Sequence, residues 1–388
     1  MTPAPSTFGI GIIGASASRG WAAAAHIPAL QALPNYEIRA LSASSAESAR
    51  AAGEMYGVSA VFWDHEQLVT RPDVDVVAVT VKVPRHRELV TAALAAGKAV
   101  YCEWPLGRDL DDAQAMAKLA CERDVRTVVG LQGRQAPAIQ FVQELLDDGY
   151  VGDVLSTTIV GLSLAGDTVI NANAYMLDND NGANLLTIAV GHSIDTLNHV
   201  LGEFADLSAL LDLRRPRITI EETGEHIRKT ASDQIAVIGT LTSGATASIH
   251  VREAVAGGTG LLWEINGTDG TLRITADGPL PGIFPLTVAG AHGRNEPTEL
   301  AVPAALTQKW PALSRLQGAP AFNVGRAYAA FAADLGNGTR TVPDFAEAVR
   351  RHEVITAIES SAASGERVKA HSDLTTSSCT PAKASHPE

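Results

Sequence analysis

Between Phe8 and Leu131, short apolar, β-branched runs alternate with segments of helical periodicity, and this alternation restricts the fold more than any other feature of the chain. Strands are expected at Ile10–Ile13, Tyr36–Leu41, Val58–Phe62, Asp75–Val81, Lys98–Glu103 and Thr127–Leu131. Helices are expected from Ala22 to Leu33, at Ser45–Tyr56, as a turn at His65–Val69, at Arg85–Ala96 with Gly97 ending it, and at Asp109–Arg123. Asp75–Val81 is an unbroken apolar run, as a strand covered on both faces requires. Such an order implies an α/β chain with a doubly wound parallel sheet. Ligands of these sheets lie beyond the carboxyl ends of the strands, so the turns after Ile13, Leu41, Val81, Glu103 and Leu131 matter most.

The first of those turns is rich in glycine. Gly14 follows the strand, Ser16 stands where a dinucleotide fingerprint has its second glycine, and Gly20 arrives one residue late. With Ser18, Arg19 and Trp21 it makes a strand–turn–helix whose amides and helix dipole point at a phosphate. Tight packing alone is the competing account. The second strand ends in Ala40-Leu-Ser-Ala-Ser-Ser-Ala46, without the carboxylate that would bond a ribose 2′-hydroxyl. Ser42 and Ser44 leave room for a 2′-phosphate and Arg19 offers a positive charge, so NADP is preferred over NAD. Capping of the next helix by these serines suits either cofactor.

Beyond Leu131 the pattern changes. Gln132 and Arg134 follow the last strand, where they either face a ligand cleft or bridge two domains. A helix at Ala136–Asp148 and a strand at Asp153–Leu164 precede the polar stretch Asn171–Gly182, expected as a loop. Tyr175, Asp178 and Asn184 are candidates there for binding substrate hydroxyls. The helix Leu185–Leu201 carries His192 and Asp195. Strands are then expected at Asp206–Leu213, Ser232–Thr242, Thr246–Glu253, Leu261–Gly267 and Thr271–Thr275. A Gly/Pro-rich loop, Pro279–Pro303, and helices at Phe322–Leu335 and Asp344–Ser361 complete the pattern. The expected division is a dinucleotide-binding domain over 1–131, a substrate and oligomerisation domain over 132–365, and a disordered tail over 366–388.

A net charge of −13 argues against nucleic acid or an anionic membrane as partner, and no apolar run approaches the roughly 18 residues of a membrane span. Met1 to Thr7 has no signal-peptide pattern, and the expected location is cytoplasmic. Three cysteines without metal spacing read as reduced thiols, and the eleven histidines are scattered, so no metal is expected.

Gly97-Lys-Ala-Val-Tyr-Cys-Glu-Trp-Pro-Leu106 resembles the GK-x-V-x-x-EKPL signature of the glucose–fructose oxidoreductase/inositol dehydrogenase/MocA family. His86 falls where that family carries a histidine, and Gly191-His-Ser-Ile-Asp195 resembles its G-x-H-x-I-D segment. The resemblance spans residues 8–365. It implies an N-terminal Rossmann domain and a C-terminal α+β domain with a large open, mostly antiparallel sheet. It further implies a sugar or cyclitol substrate, hydride transfer to or from a nicotinamide cofactor, and a homodimer or homotetramer. Val81, Lys82, His86, Glu103 and Trp104 would then complete the cofactor site begun by the glycine turn, and Trp104 would also face substrate.

Trp104 stands where the family has its catalytic lysine; an indole donates one hydrogen bond but relays no proton. The Glu103-Trp104-Pro105 string resembles a branch containing the fungal galactose-regulon repressor and its bacterial relatives. Ile188 replaces the family aspartate four residues before His192. His192 is left as the general acid/base and substrate-binding candidate, with Lys82 a weaker substitute for the missing lysine. Two functions follow: an NAD(P)-dependent oxidoreductase, or a non-catalytic regulator responsive to dinucleotide or sugar.

Overall fold

The computed structural model describes residues 7–371, apart from 165, 255 and 256. Two compact units form. The first gathers the chain up to Gly130 together with Ala327–Arg350; the second comprises Leu131–Arg326 and Arg351–His371.

The first unit is built on β1 (Phe8–Ile13), β2 (Tyr36–Ser42), β3 (Val61–Phe62), β4 (Val76–Val79), β5 (Ala99–Cys102) and β6 (Thr127–Val129). All pair in parallel, in the order β3-β2-β1-β4-β5-β6. Strand order reverses between β1 and β4, which makes the crevice above their carboxyl ends the natural ligand site. The expected fourth strand is shortened because Thr80 leaves the ladder: its amide (3.0 Å) and hydroxyl (2.9 Å) both donate to the carbonyl of Ile13. A π-turn, Ala22–His26, leads into α1 (Ile27–Ala32), and α2 (Ala46–Tyr56), α3 (His65–Val69), α4 (His86–Ala95) and α5 (Leu110–Glu122) follow. Two of these helices start one residue later than the sequence pattern because Ser45 and Asp109 act as N-caps, each side chain accepting an amide three residues on.

In the second unit, α6 (Pro137–Asp147) precedes β7 (Val154–Leu164) and β8 (Thr168–Val169). After α7 (Gly191–Leu201) come β9 (Phe204–Asp212), β10 (Arg217–Ile220), β11 (His226–Arg228), β12 (Gln234–Leu241), β13 (Thr246–Ala254), β14 (Leu261–Gly267) and β15 (Gly270–Ala276). Then follow β16 (Thr287–His292), β17 (Thr298–Glu299), α8 (Ala304–Thr307), α9 (Ala321–Asn337), α10 (Phe345–Ser364) and β18 (Val368–Lys369). Nine strands form one open sheet in the order β17-β16-β15-β14-β7-β13-β12-β9-β18, antiparallel except where β7 meets β13. Ile235, Val237, Ile249 and Val251 fill its buried face, whereas Leu210 and Ile238 stand on the other face, 62% and 58% exposed.

Several expectations need correction. Pro279–Pro303 holds two strands, β16 and β17, because Thr287–His292 completes the ladder beside β15 despite its glycine. Asn171–Gly182 is two 3₁₀ segments, Asn171–Leu177 and Asn179–Asn181, not an open loop. A small sheet of β8, β10 and β11 was not anticipated. The expected tail begins with order: β18 pairs with β9 and Ala370 is buried, while 372–388 lie outside the described residues. Cys102 is a free buried thiol, and Cys379 lies outside the described residues. Among the described residues no helix is long and apolar enough to cross a membrane.

Candidate functional site

In the first unit the glycine turn is pinned from three sides. Ser42 O accepts the amides of Gly14 (2.9 Å) and Ala15 (3.1 Å), Thr80 grips Ile13, and Tyr56 donates its hydroxyl to Ser16 O (2.8 Å). Gly14 has φ +103°, and a Cβ there would lie 2.9 Å from Thr80 Oγ1 and Val81 Cγ1, so the turn admits only glycine. Gly20 also has positive φ (+89°) and faces open space. The amides of Ser16, Ala17, Ser18, Arg19 and Gly20 donate to no group among the described residues. Unpaired amides converging at a helix start are what a pyrophosphate needs. Trp21 adds a buried indole Nε1 without a partner among the described residues. A dinucleotide therefore fits this turn.

Beyond β2, Ser42 is buried with its carbonyl engaged, Ser45 caps α2, and Ser44 and Arg19 are exposed. Lys82 is exposed after β4. His86 is 1% exposed and braces the neighbouring turns: Nε2 meets Val81 O (3.0 Å), and Nδ1 meets Pro105 O (2.9 Å). Burial holds its pKa below the usual value despite these carbonyls. Trp104 is 5% exposed, and the Trp104–Pro105 peptide is cis. Glu103 ends β5. Its Oε1 meets His26 Nε2 at 2.8 Å, and His26 Nδ1 meets the Tyr328 hydroxyl at 2.7 Å. Neither His26 nor Tyr328 stands out in the sequence. One sits in an apolar helix, the other in an Ala-rich segment 302 residues later, and no local spacing links them.

In the second unit, a 3₁₀ turn, Gln132–Gln135, packs on α7; a Cβ on Gly133 would lie 2.7 Å from Thr196 Oγ1. Gln132 is 2% exposed and its Oε1 has no partner among the described residues. Arg134 clamps Asp195 with Nε and Nη2, at 2.9 and 2.5 Å. This ion pair, 13% and 1% exposed, is where the chain uses both residues. A π-turn, Leu186–Val190, leads into α7, a distortion frequent at functional sites, and His192 lies in the first turn of the helix, 6% exposed. Asn184 is a cap: Oδ1 accepts the amides of Leu186 (2.9 Å) and Thr187 (3.1 Å), and Nδ2 reaches Asn179. Asp178, exposed, accepts from Thr230 Oγ1 and Asp180 N. Tyr175 is half-buried, and burial pushes its phenol pKa up. Thus Gln132, Arg134 and Asp195 gather on α7, while Asp178 and Asn184 serve the 3₁₀ segments.

Residues 8–131 match the oxidoreductase family with an NAD-binding Rossmann fold, the glucose–fructose oxidoreductase/inositol dehydrogenase/MocA family, and residues 137–276 match the C-terminal domain of Gal80p. The first of the two matched stretches thus carries the Rossmann domain of the Gfo/Idh/MocA family, and the second resembles the C-terminal domain of Gal80p. It is 40% identical over 198 residues to the dehydrogenase aclE of Aspergillus oryzae, covering 50% of this chain and 53% of that protein. It is 28% identical over 299 residues to the galactose/lactose metabolism regulatory protein GAL80 of Saccharomyces cerevisiae, covering 71% and 68%. The chain thus spans about half to two thirds of the curated relatives it matches. The crystal structure of a super-repressor mutant of S. cerevisiae Gal80p superposes with TM-score 0.84 at 24% identity, over 94% of this chain and 98% of that one. The two chains share a fold.

Proposed function

We propose that the chain is a nicotinamide-dependent oxidoreductase acting on a hydroxyl or keto group of a sugar or cyclitol. The observation that carries the reading is the glycine turn, with its five unpaired amides below the end of β1 and the Glu103 carboxylate at the end of β5. Residues 1–131 are assigned to the cofactor and 132–365 to substrate and assembly. Gly14, Ser16, Ser18, Arg19, Gly20 and Trp21 hold the pyrophosphate; Ser42, Ser44 and Arg19 receive the adenosine ribose, in keeping with NADP ahead of NAD. Val81, Lys82, His86, Glu103 and Trp104 form the nicotinamide end. When bound, the nicotinamide supplies hydride transfer. His192 is assigned the substrate proton, and Trp104, Gln132, Arg134, Tyr175, Asp178 and Asn184 are assigned to substrate binding, Arg134 by holding Asp195 and Asn184 by capping Leu186 and Thr187.

A second reading has a specific observation behind it. Trp104 and Ile188 replace the two family groups that would share proton transfer with His192, and residues 137–276 match a regulator's domain. On that reading the chain binds dinucleotide or sugar and signals through its conformation. The cytoplasm is the expected location for either. The exposed sheet face around Leu210 and Ile238 supports a homodimer or homotetramer, to be read by light scattering of wild type against Ile238→Glu.

Purified protein is mixed with NADPH or NADH and a panel of ketoses, aldoses and inosones, while absorbance at 340 nm and tryptophan fluorescence are followed. Quenching with turnover on some sugar, lost in His192→Ala, supports the enzyme. Quenching without turnover across the panel supports the regulator, and tighter binding of NAD(H) overturns the NADP preference.

A further inference from the structure

The Glu103 carboxylate is held in an unusual way. His26 is fully buried and Glu103 is 13% exposed at its side chain, so one end of the pair lies in the core and the other at the strand ends. His26 Nε2 meets Oε1 at 2.8 Å, and Nδ1 meets the Tyr328 hydroxyl at 2.7 Å. Tyr328 is itself fixed. Its ring stacks on Tyr101 (centroids 4.6 Å apart), and its backbone carbonyl accepts the Tyr36 hydroxyl at 3.0 Å. Burial pushes the Tyr328 phenol well above its ordinary pKa, so it keeps its proton as a donor. With Tyr328 donating to Nδ1, the imidazole proton sits on Nε2 and faces the carboxylate.

Gly130 closes the arrangement from β6. A Cβ there would lie 2.8 Å from the Glu103 carboxylate carbon and both its oxygens. Oε2 has no partner among the described residues. The carboxylate is thus anchored by one oxygen, pressed against a glycine, and left with the other oxygen to accept.

We propose that His26, oriented by Tyr328, is a positioning residue that fixes Glu103 so that its second oxygen accepts a hydroxyl of the bound dinucleotide's ribose. This rests on the cofactor reading above. The arrangement parallels the use of a second group to orient a histidine, with the order reversed: here the tyrosine sets the tautomer and the histidine sets the carboxylate. It also makes a residue from the far end of the chain part of the cofactor site's support.

The test measures NADPH and NADH affinity by fluorescence and the His26 ring nitrogens by ¹⁵N NMR in the full chain. Glu103→Gln is expected to weaken binding about tenfold, the worth of one charge-assisted hydrogen bond. His26→Leu matches it, and adds nothing in the Glu103→Gln background. His26→Gln, whose amide can donate to Glu103 and accept from Tyr328, stays within about threefold of wild type. Tyr328→Phe leaves Nε2 no longer the sole protonated nitrogen, seen as averaging of the two ¹⁵N shifts. Gly130→Ala, whose Cβ would lie 2.8 Å from the carboxylate, reproduces Glu103→Gln and carries the test if His26→Leu does not fold. A wild-type chain that binds neither dinucleotide overturns the cofactor reading and this inference together. Wild-type binding with undiminished affinity in Tyr328→Phe, His26→Leu and Gly130→Ala, or full additivity with Glu103→Gln, overturns the positioning role alone.

Discussion

Tyr101 presents a contrast within one cluster of aromatic rings. Its ring packs edge-on to His26 (centroids 5.3 Å) and stacks on Tyr328, yet its hydroxyl is buried without a partner among the described residues. Tyr36, in the same cluster, donates its hydroxyl to Tyr328 O. An orphaned buried hydroxyl costs about 1–3 kcal/mol, whereas a satisfied one contributes about 1 kcal/mol. Tyr101→Phe is therefore expected to raise the urea unfolding free energy by about 1 kcal/mol, and Tyr36→Phe to lower it by a similar amount. Equal losses in the two variants would show that the Tyr101 hydroxyl does have a compensating role. At this scale the sequence is least legible. The glycine turn could be read because its chemistry is local, but the Glu103–His26–Tyr328 chain joins residues that only the fold makes neighbours.

Elements are more legible, because periodicity and capping residues are local. Each of the first six strands was expected where it occurs, though β1 starts two residues earlier, β2 runs one residue further, and β4 is shortened where Thr80 leaves the ladder. The strands that escaped are short or carry glycine: β8, β10 and β11 have two to four residues, and Gly290 interrupts the pattern of β16. β18 escaped for another reason, since two residues depend on their surroundings for order. Those surroundings are ionic. His371 Nδ1 meets Glu353 Oε2 at 2.9 Å and Nε2 lies 3.4 Å from Glu203 Oε2, while Arg351 donates to Glu203 Oε1 and Asn198 Nδ2 to Oε2. Burial raises the Glu203 pKa, but the neighbouring His371 imidazole and the Arg351 charge outweigh it and bring the value down to about 2. The Glu203 carboxylate beside it raises the His371 pKa above its ordinary 6.5, against desolvation. Glu203 thus stabilises the fold above its ordinary value of 4.5, an effect lost as pH falls towards 2. His371 stabilises below 6.5, an effect lost as pH rises through its folded pKa. The strap is tightest between about pH 4.5 and 6.5. Hydrogen exchange of the β18 amides should be slowest in that window and accelerate above it, and His371→Gln should abolish the alkaline acceleration beyond the intrinsic rate. A wild-type profile no steeper than that of His371→Gln would refute the strap.

At the scale of the whole molecule, the order of domains along the chain conceals how the first unit is completed. Composition and alternation set its beginning and its six strands, but not the return of Ala327–Arg350 into it. That return supplies structural groups, not surface decoration. Tyr328 stacks on Tyr101 and binds His26, Pro343 O accepts the Val129 amide at the sheet's edge (2.9 Å), and Phe345 N donates to Thr127 Oγ1 (3.3 Å). Within the returning segment, Asp334 accepts from Thr339, Thr341 and Val342, fixing the bend between α9 and α10. A fragment of residues 1–131 keeps every Rossmann strand but loses these partners, leaving β6 an open edge and the tyrosine cluster uncovered. Such a fragment is expected to lack a cooperative thermal transition, to bind a hydrophobic dye and to be cut rapidly by protease, whereas the full chain resists. A fragment that melts cooperatively at the temperature of the full chain would mean that the first 131 residues are a complete folding unit and that the returning segment only rests upon it.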